Sequence, residues 1–252
     1  MPVKAKNCAL LLLLAALAAG GAEGPDHLFR SRAETEFARA QKAFQTSTNT
    51  MSAAEPLARA SFDAADLATN ETAKAVFARA GITASREWLA REPKSAGGHY
   101  YLAMNLGKLA EAEAPSLAAY RLVHEVEREF KSAADLDVSY DFAGPARTLG
   151  ELYYQAPGWP LSVGSRHKAR EWFERAVAVA PDYPDNQLNL AEAYLKWRNR
   201  EEAAKTLQRI EALWPAARTN FTGEARERDW LDWEARRNAV RAEFQKLYKT
   251  KA

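Results

Sequence analysis

The side chains that most often carry acid–base or metal chemistry are few and scattered in this sequence. The four histidines, His27, His99, His124 and His167, lie far apart along the chain. A zinc-protease helix needs a second histidine four residues after the first, and the stretch HEVER from His124 has Arg128 there instead. We therefore predict histidines on helix surfaces and no metal site.

Nucleophiles and phosphate loops give no stronger signal. Ser162 lies in PLSVG, which lacks the glycine two residues before the serine that a nucleophile elbow needs. No glycine-rich phosphate-binding loop occurs. Most carboxylates lie three or four residues from a lysine or arginine, a spacing typical of ion pairs on helix surfaces. The sequence predicts no catalytic residues, no cofactor and no enzymatic activity.

Charge and composition exclude one class of partner. The 252 residues are 47% hydrophobic and 27% charged, with a net charge of +2. Without residues 1–22 the chain has 33 basic and 33 acidic residues. A nucleic-acid-binding surface normally shows an excess of lysine and arginine, so we expect no nucleic-acid partner.

The first residues have the layout of a secretory leader. Two lysines precede an apolar run from Ala9 to Ala19, and small residues follow it. We predict that residues 1–22 are a signal peptide, cleaved after Ala18 or Ala22, and that the protein is periplasmic. Cys8, the single cysteine, precedes the apolar run, where a lipoprotein cysteine would follow it. A lipid anchor is therefore not expected.

The remaining chain has the pattern of helices. Alanine, leucine and large apolar residues recur at spacings of three and four, glycine is sparse, and no stretch alternates as an exposed strand does. Asn70 is expected to cap one of these helices. The predicted fold is all-α, a tetratricopeptide-like stack of antiparallel helix pairs with a C-terminal covering helix. Its predicted parts are an N-terminal helical region (23–94), repeats (95–217) with an inserted loop (154–167), and the final helix (218–252).

Two neighbouring stretches share one spacing, at nearly the 34-residue period of tetratricopeptide repeats. The second stretch has Leu190, Ala191 and Tyr194 on one helix, then Ala203, Leu207 and Ile210 on the next, and Pro215 as the expected end of that helix. The first has Leu149, Gly150 and Tyr153, then Ala169, Phe173, Ala176 and Pro181. Small residues at such positions let two helices approach, and large ones fill the space between them.

The two stretches differ in the connection between their helices. Ala191 and Ala203 are twelve residues apart, whereas Gly150 and Ala169 are nineteen apart. Seven extra residues, including PGWPLSV, therefore lengthen the first turn. After the repeats, a helix from about Gly223 to Tyr248, capped by Thr222, is expected to cover the end of the stack.

A set of features between residues 95 and 215 is distinctive beyond the repeat spacing. They are the stretch HYYLAMNLGKLA (99–110), Arg147, Leu149-Gly150, Tyr153, the run from Ala156 to Pro160, Ser162, Gly164, Lys168-Ala169 and Leu190-Ala191-Glu192. In these features the region resembles the TatT family of exported, all-helical, tetratricopeptide-like proteins associated with periplasmic TRAP transporters. The resemblance implies an extracytoplasmic solute-binding protein as a partner.

Six residues are candidates for ligand or partner binding, and five of them have a structural alternative. Trp159 lies between two prolines outside any helical period, and it either fills a hydrophobic gap or lines a ligand groove or meets a partner. Arg147 either binds an acidic ligand or forms a salt bridge. Tyr100, Tyr101 and Asn105 either line a concave surface or pack with one buried amide bond. The candidates are Trp159, Arg147, Tyr154, Tyr100, Tyr101 and Asn105.

Two functions follow from this organisation. The first is a periplasmic binding protein for a protein partner or a small apolar ligand, and the family resemblance narrows it to an accessory component of a TRAP-type transport system. The second is a general envelope scaffold or assembly protein that acts through protein–protein interaction. The sequence leaves homo-oligomerisation open.

Overall fold

The computed structural model describes residues 25–47 and 50–248. The predicted signal peptide lies outside these residues. The described part consists of helices and their connections, with one isolated bridge between Gly158 and Gly164, so the prediction of an all-α fold is confirmed. The helices are α1 (Pro25–Thr46), α2 (Thr50–Asp66), α3 (Glu71–Arg91), α4 (Ala96–Ala112), α5 (Leu117–Leu136), α6 (Tyr140–Gln155), α7 (Arg166–Val179), α8 (Pro184–Lys196), α9 (Arg200–Asn220), a 3-10 turn (Glu224–Arg226) and α10 (Glu227–Tyr248).

Polar side chains cap the N-termini of several of these helices. Asn70 Oδ1 accepts a hydrogen bond from the backbone N–H of Ala73, which confirms its predicted role as a cap. Ser165 and Asn199 cap α7 and α9 in the same way. Such caps satisfy backbone donors that have no partner within the helix. The ends of the paired helices are therefore determined by their local sequence.

The first of two compact units contains the described residues up to Arg91, Tyr101–Val126 and Gln155–Gly164. Within it α2 packs against both α1 and α3. The rings of Phe37 and Phe77 meet edge to face at 4.8 Å. A close approach at Gly81 leaves room for the amide of Asn105, because a Cβ on Gly81 would lie 2.2 Å from Asn105 Oδ1.

The second unit contains Glu92–Tyr100, Glu127–Tyr154 and the described residues from Ser165 onward. Gly150 of α6 faces Phe173 of α7, where a Cβ would lie 2.4 Å from the ring. This contact is the small-against-large pairing that the repeat spacing predicts. Neighbouring helices α7, α8 and α9 pack in sequence, and α10 packs against α8 and α9. The predicted covering helix is thus present.

Salt bridges as well as apolar contacts hold α10 in place. Trp233 and Val240 of α10 are buried. Glu211 of α9 accepts hydrogen bonds from both Arg237 and Arg241. Although burial works against ionisation of Glu211, these two guanidinium groups lower its pKa to about 2.

Two predicted details of the helix ends are wrong. Pro215 does not end a helix, since α9 continues through it to Asn220. The proline removes one backbone hydrogen bond, but burial of Trp214 and Ala217 on either side keeps the helix intact. Thr222 is not a cap, because Gly223, with φ 99°, precedes the 3-10 turn before α10. That left-handed backbone suits glycine.

Candidate functional site

The connection between α6 and α7, residues 156–165, is called the long connection here, and it exposes two large apolar side chains. Trp159 is 89% exposed and Leu161 is 61% exposed. Soluble proteins rarely leave adjacent large apolar side chains in water without a partner to cover them. The alternative that Trp159 fills a hydrophobic gap does not hold, because almost all of its side-chain surface is open.

Backbone hydrogen bonds within the long connection determine its shape. Gly164 N–H donates to the carbonyl of Pro157 at 2.9 Å, and Leu161 N–H donates to Gly158 at 3.1 Å. Only glycine fits at position 164, since a Cβ there would lie 2.0 Å from the carbonyl oxygen of Ala156. The exposed side chains are therefore presented by an ordered turn.

Arg147 lies inside the second unit, with 7% of its surface exposed. Its guanidinium group is 3.5 Å from Asp141 and 3.3 Å from Asp185, and it stacks over the ring of Tyr183 at 5.0 Å. Burial alone would lower the pKa of Arg147, yet Tyr100 and Asp185 hold it above its ordinary value. The salt-bridge alternative is confirmed, and the structure gives no support to a ligand role.

Three further candidates are also buried. Tyr100 O–H donates to Asp141 at 3.3 Å, and Tyr101 accepts a hydrogen bond from Arg59 at 2.7 Å. Asn105 donates to the carbonyls of Ala58 and Tyr101. These placements match the packing alternative, because side chains with so little exposed surface do not contact a partner directly.

Tyr154 lies near the surface in a group of aromatic rings. Its ring is 6.0 Å from those of Phe173 and Trp197, and the ammonium of Lys196 lies 4.2 Å from its centroid. Burial raises the pKa of Tyr154 to about 12, with a smaller contribution from Glu192. Of the six candidates, Trp159 and Tyr154 are thus the two whose positions suit contact with a partner.

An aromatic cleft that the sequence did not predict lies in the second unit. The rings of Phe142 and Tyr183 stack at 4.7 Å, and Phe221 meets both edge to face at 5.4 Å. Arg226 lies over the first two rings and donates to the Tyr183 hydroxyl at 3.3 Å. The cleft has a volume of about 580 Å³, and also contains Val179, Ala180, Pro181, Asp182, Asn220 and Thr222.

Backbone strain places Phe142 in this cleft. Asp141, Phe142 and Ala143 all have left-handed backbone, with φ of 49°, 55° and 64°. Non-glycine residues adopt that conformation only at an energetic cost. Arg147 and Asn186 both donate to the carbonyl of Phe142, at 3.2 and 3.0 Å, and so hold the strained turn. Sequence periodicity could not identify the cleft, because Tyr183 and Phe221 lie in connections between helices and Phe142 lies in the left-handed first turn of α6.

One carboxylate in the second unit titrates near neutral pH. Glu151 accepts a hydrogen bond from Asn189 at 2.6 Å. Burial and the nearby charge of Asp185 raise the pKa of Glu151 to about 7, and Arg147 and Arg236 oppose that rise. Glu151 of α6 thus lies near Asp185 of α8 and Arg236 of α10. Arg236 in turn forms salt bridges with Asp185 and Glu192, which join α10 to α8. The protonation of Glu151 is therefore coupled to helix packing.

Within the two described ranges, no group of three or more histidine, cysteine, aspartate or glutamate residues is arranged to hold a metal ion. No described helix is both long enough and apolar enough to cross a membrane. His99, one of the four histidines, binds Glu129 at 2.6 Å and the carbonyl of Pro93 at 3.1 Å. The features of the described surface that suit binding are the exposed apolar side chains of the long connection and the aromatic cleft.

Comparison with known proteins supports the repeat architecture. Residues 161–213 match the profile of the family described as Tetratricopeptide repeat. A thermophilic TPR protein of Thermus thermophilus has a similar crystal structure, with a TM-score of 0.61 and 18% sequence identity. The similarity covers 87% of this chain and 95% of that one. No match was found among curated proteins. This chain therefore has the helical-repeat fold of tetratricopeptide proteins.

Proposed function

We propose that this chain is a non-enzymatic periplasmic binding protein that recognises a protein partner through the long connection. The exposed pair Trp159 and Leu161 carries this proposal. Tryptophan is enriched among interface residues that contribute about 2 kcal/mol or more to binding. Tetratricopeptide folds commonly bind other proteins, which supports a protein as the occupant.

The resemblance to the TatT family narrows the proposed partner. That resemblance includes the run from Ala156 to Pro160, which lies in the long connection itself. We propose an extracytoplasmic solute-binding protein of a TRAP-type system as the partner, with this chain as an accessory component. A general envelope scaffold is the alternative, and it would use the same surface for a different partner.

Site-specific crosslinking tests the proposal and its alternative together. A photoreactive amino acid replaces Trp159 in the full chain, expressed with its own leader in a bacterium that has a TRAP system. A matched variant carries the same group at Leu117, an exposed apolar side chain at the start of α5. We expect the group at 159, and not the one at 117, to capture a solute-binding protein.

Two results would contradict the TRAP proposal. Capture of secretion or outer-membrane assembly proteins at 159 would favour the scaffold. Equal capture at both positions would show that the long connection has no special role. Cell fractionation tests the compartment separately, because release of the chain by osmotic shock is expected, whereas retention in the cytoplasm would refute a periplasmic function.

The aromatic cleft favours a second candidate function, the binding of a small apolar ligand. Its volume of about 580 Å³ lies in the range of small-molecule sites. Phe142 is 41% exposed and stacks on Tyr183, so a bound molecule would find an aromatic wall already in place. Mass spectrometry of extracts from the purified protein tests this function: a ligand recovered from wild type and lost in Phe142→Ala is expected if the cleft binds it.

A further inference from the structure

The connection between α8 and α9, residues 197–199, is called the short connection here, and it lies in a cluster of aromatic and basic side chains. The guanidinium of Arg166 lies 5.2 Å from the ring centroid of Trp197, and the ammonium of Lys196 lies 4.2 Å from that of Tyr154. The two rings are 6.0 Å apart. With Arg198, these residues form what we call the basic–aromatic patch.

The cations of this patch are not neutralised by carboxylates. Arg166, Lys196 and Arg198 form no salt bridge with any described aspartate or glutamate. Arg166 donates only to the carbonyl of Trp197, at 3.4 Å. Nearby basic residues behave differently, since Arg170 binds Glu174 at 2.8 Å and Lys205 binds Glu201 at 2.8 Å. The patch is therefore a local excess of positive charge.

A small cleft adjoins the patch and offers apolar surface. Its volume is about 420 Å³. Lys196 and Arg198 line it together with Leu195, Ala239 and Val240. A ligand that reaches the two cations therefore also meets aliphatic side chains.

The acidic residues of the cleft already have partners. Glu192 accepts two hydrogen bonds from Arg236, at 2.8 and 2.9 Å. Glu243 is 3.5 Å from Lys246. These two carboxylates thus bind Arg236 and Lys246, and neither forms a salt bridge with Lys196 or Arg198.

We propose that the basic–aromatic patch binds an acidic segment of a protein partner, in which carboxylates alternate with apolar residues. The carboxylates would pair with Arg166 and Lys196, which gain a salt bridge without losing one. The apolar residues would contact the rings of the patch and the aliphatic cleft beside it. This proposal rests on the proposed function, since it names a second contact for a protein partner, but it is tested without that partner.

Fluorescence anisotropy with a labelled peptide of about ten residues, alternating glutamate with leucine or phenylalanine, tests the proposal on the purified chain. Binding is expected to weaken about tenfold between roughly 50 mM and 300 mM salt, because salt screens exposed charges. Arg166→Gln combined with Lys196→Gln is expected to weaken it about tenfold at low salt, since each exposed ion pair contributes up to about 1 kcal/mol.

A matched variant controls for net charge. Arg175→Gln with Arg209→Gln removes the same charge from two exposed arginines that also form no salt bridge with a described carboxylate. Arg175 also stacks on a ring, that of Trp172, at 4.9 Å. The control is expected to bind the peptide like wild type. Circular dichroism and melting temperatures of both variants verify that each is folded.

Three outcomes would overturn the proposal: equal affinity of the two variants, equal binding of a peptide with lysine in place of glutamate, or stronger patch-dependent binding to phosphatidylglycerol vesicles than to the acidic peptide. Failure of the proposed function is distinguishable from these outcomes. Loss of capture at Trp159 with intact peptide binding would refute only the role of the long connection. Capture at Trp159 without peptide binding would refute only the patch.

Discussion

The two connections within neighbouring helix pairs each contain a tryptophan, but the two side chains have opposite environments. Trp197 in the short connection lies 6.0 Å from the rings of both Tyr154 and Tyr194 and beneath the guanidinium of Arg166. Trp159 in the long connection is 89% exposed. The comparison shows that the turn of a helix pair can pack against its own helices, as the short connection does, or expose its side chains to solvent, as the long connection does.

Both connections hydrogen-bond to the helix before them, but only the long one also has a hydrogen bond across its own turn. Asn199 N–H donates to the carbonyl of Tyr194 and Arg198 N–H to that of Leu195, so α8 determines the path of the short connection. In the long connection Ser165 N–H donates to the carbonyl of Tyr153, and Gly164 N–H donates to Pro157 within the turn. We expect substitution of Trp159 in the long connection to affect partner capture, and substitution of Trp197 in the short connection to affect stability.

The largest expected effect comes from the salt bridges of Arg147, one of which joins α6 to α8. Arg147→Ala leaves Asp185 and Asp141 without this partner and removes a donor to the carbonyl of Phe142. Removing one member of a buried ion pair typically destabilises by about 3–5 kcal/mol. Urea unfolding measures the loss. A loss below about 1 kcal/mol would show that the salt bridges do not hold these helices.

A pH-dependent effect follows from Glu151. Its pKa is raised to about 7 in the folded state, against about 4.3 in an unfolded chain, so ionisation of Glu151 destabilises the fold as the pH rises between these values. Glu151→Gln abolishes that ionisation. We expect the variant to be more stable than wild type by about 1–3 kcal/mol near pH 8, with a smaller difference near pH 5.

Unfolding midpoints of wild type and Glu151→Gln across this pH range test the prediction. Acidic residues that do not lie near Glu151 contribute equally to both proteins, so their effects cancel in the difference. A difference in stability that did not change with pH would contradict the role assigned to Glu151.

A glycine substitution in the long connection tests whether partner capture depends on the backbone path of the turn as well as on its exposed side chains. Gly164→Ala brings a Cβ within 2.0 Å of the carbonyl oxygen of Ala156, so the turn cannot keep its path. We expect a stability loss of about 1–2 kcal/mol and loss of partner capture at position 159. Gly158→Ala is the control, because its Cβ would lie 3.7 Å from the nearest atom, an ordinary contact. Equal behaviour of the two variants would refute an ordered turn.

The smallest expected effect lies in the short connection. Arg198 has left-handed backbone with φ 58°, a conformation that glycine adopts at little cost. Arg198→Gly is expected to raise stability by about 0.5–1 kcal/mol, as seen in the thermal midpoint. A drop of similar size would show that the side chain of Arg198 contributes more to folding than its backbone strain removes.

The repeat spacing predicted the helix pairs because small and large residues at fixed intervals are a local pattern. Gly150 against Phe173 is such a pair, and its contact follows directly from the sequence. The end of α9 could not be predicted in this way. Pro215 alone indicates a helix end, but burial of Trp214 and Ala217 outweighs its missing hydrogen bond.

A candidate site could be predicted only where residues close together in the sequence indicated it. The prolines and glycines around Trp159 mark a turn, and its high exposure is consistent with the predicted contact to a partner. The aromatic cleft depends on three left-handed residues at the start of α6 and on rings from two connections, which no spacing rule brings together. The excess charge of the basic–aromatic patch depends on which lysine and arginine side chains form salt bridges with carboxylates. Those pairings are known only from the fold.

The central claim is tested most directly by comparing Trp159→Ala with Trp197→Ala in one set of measurements. Urea unfolding gives stability, and crosslinking through a photoreactive group at Leu161 gives partner capture. We predict that Trp159→Ala changes stability by less than about 0.5 kcal/mol and abolishes capture, whereas Trp197→Ala lowers stability by about 1–3 kcal/mol and leaves capture intact in the folded protein. Equal losses of stability in the two variants, with capture unchanged by Trp159→Ala, would contradict the account.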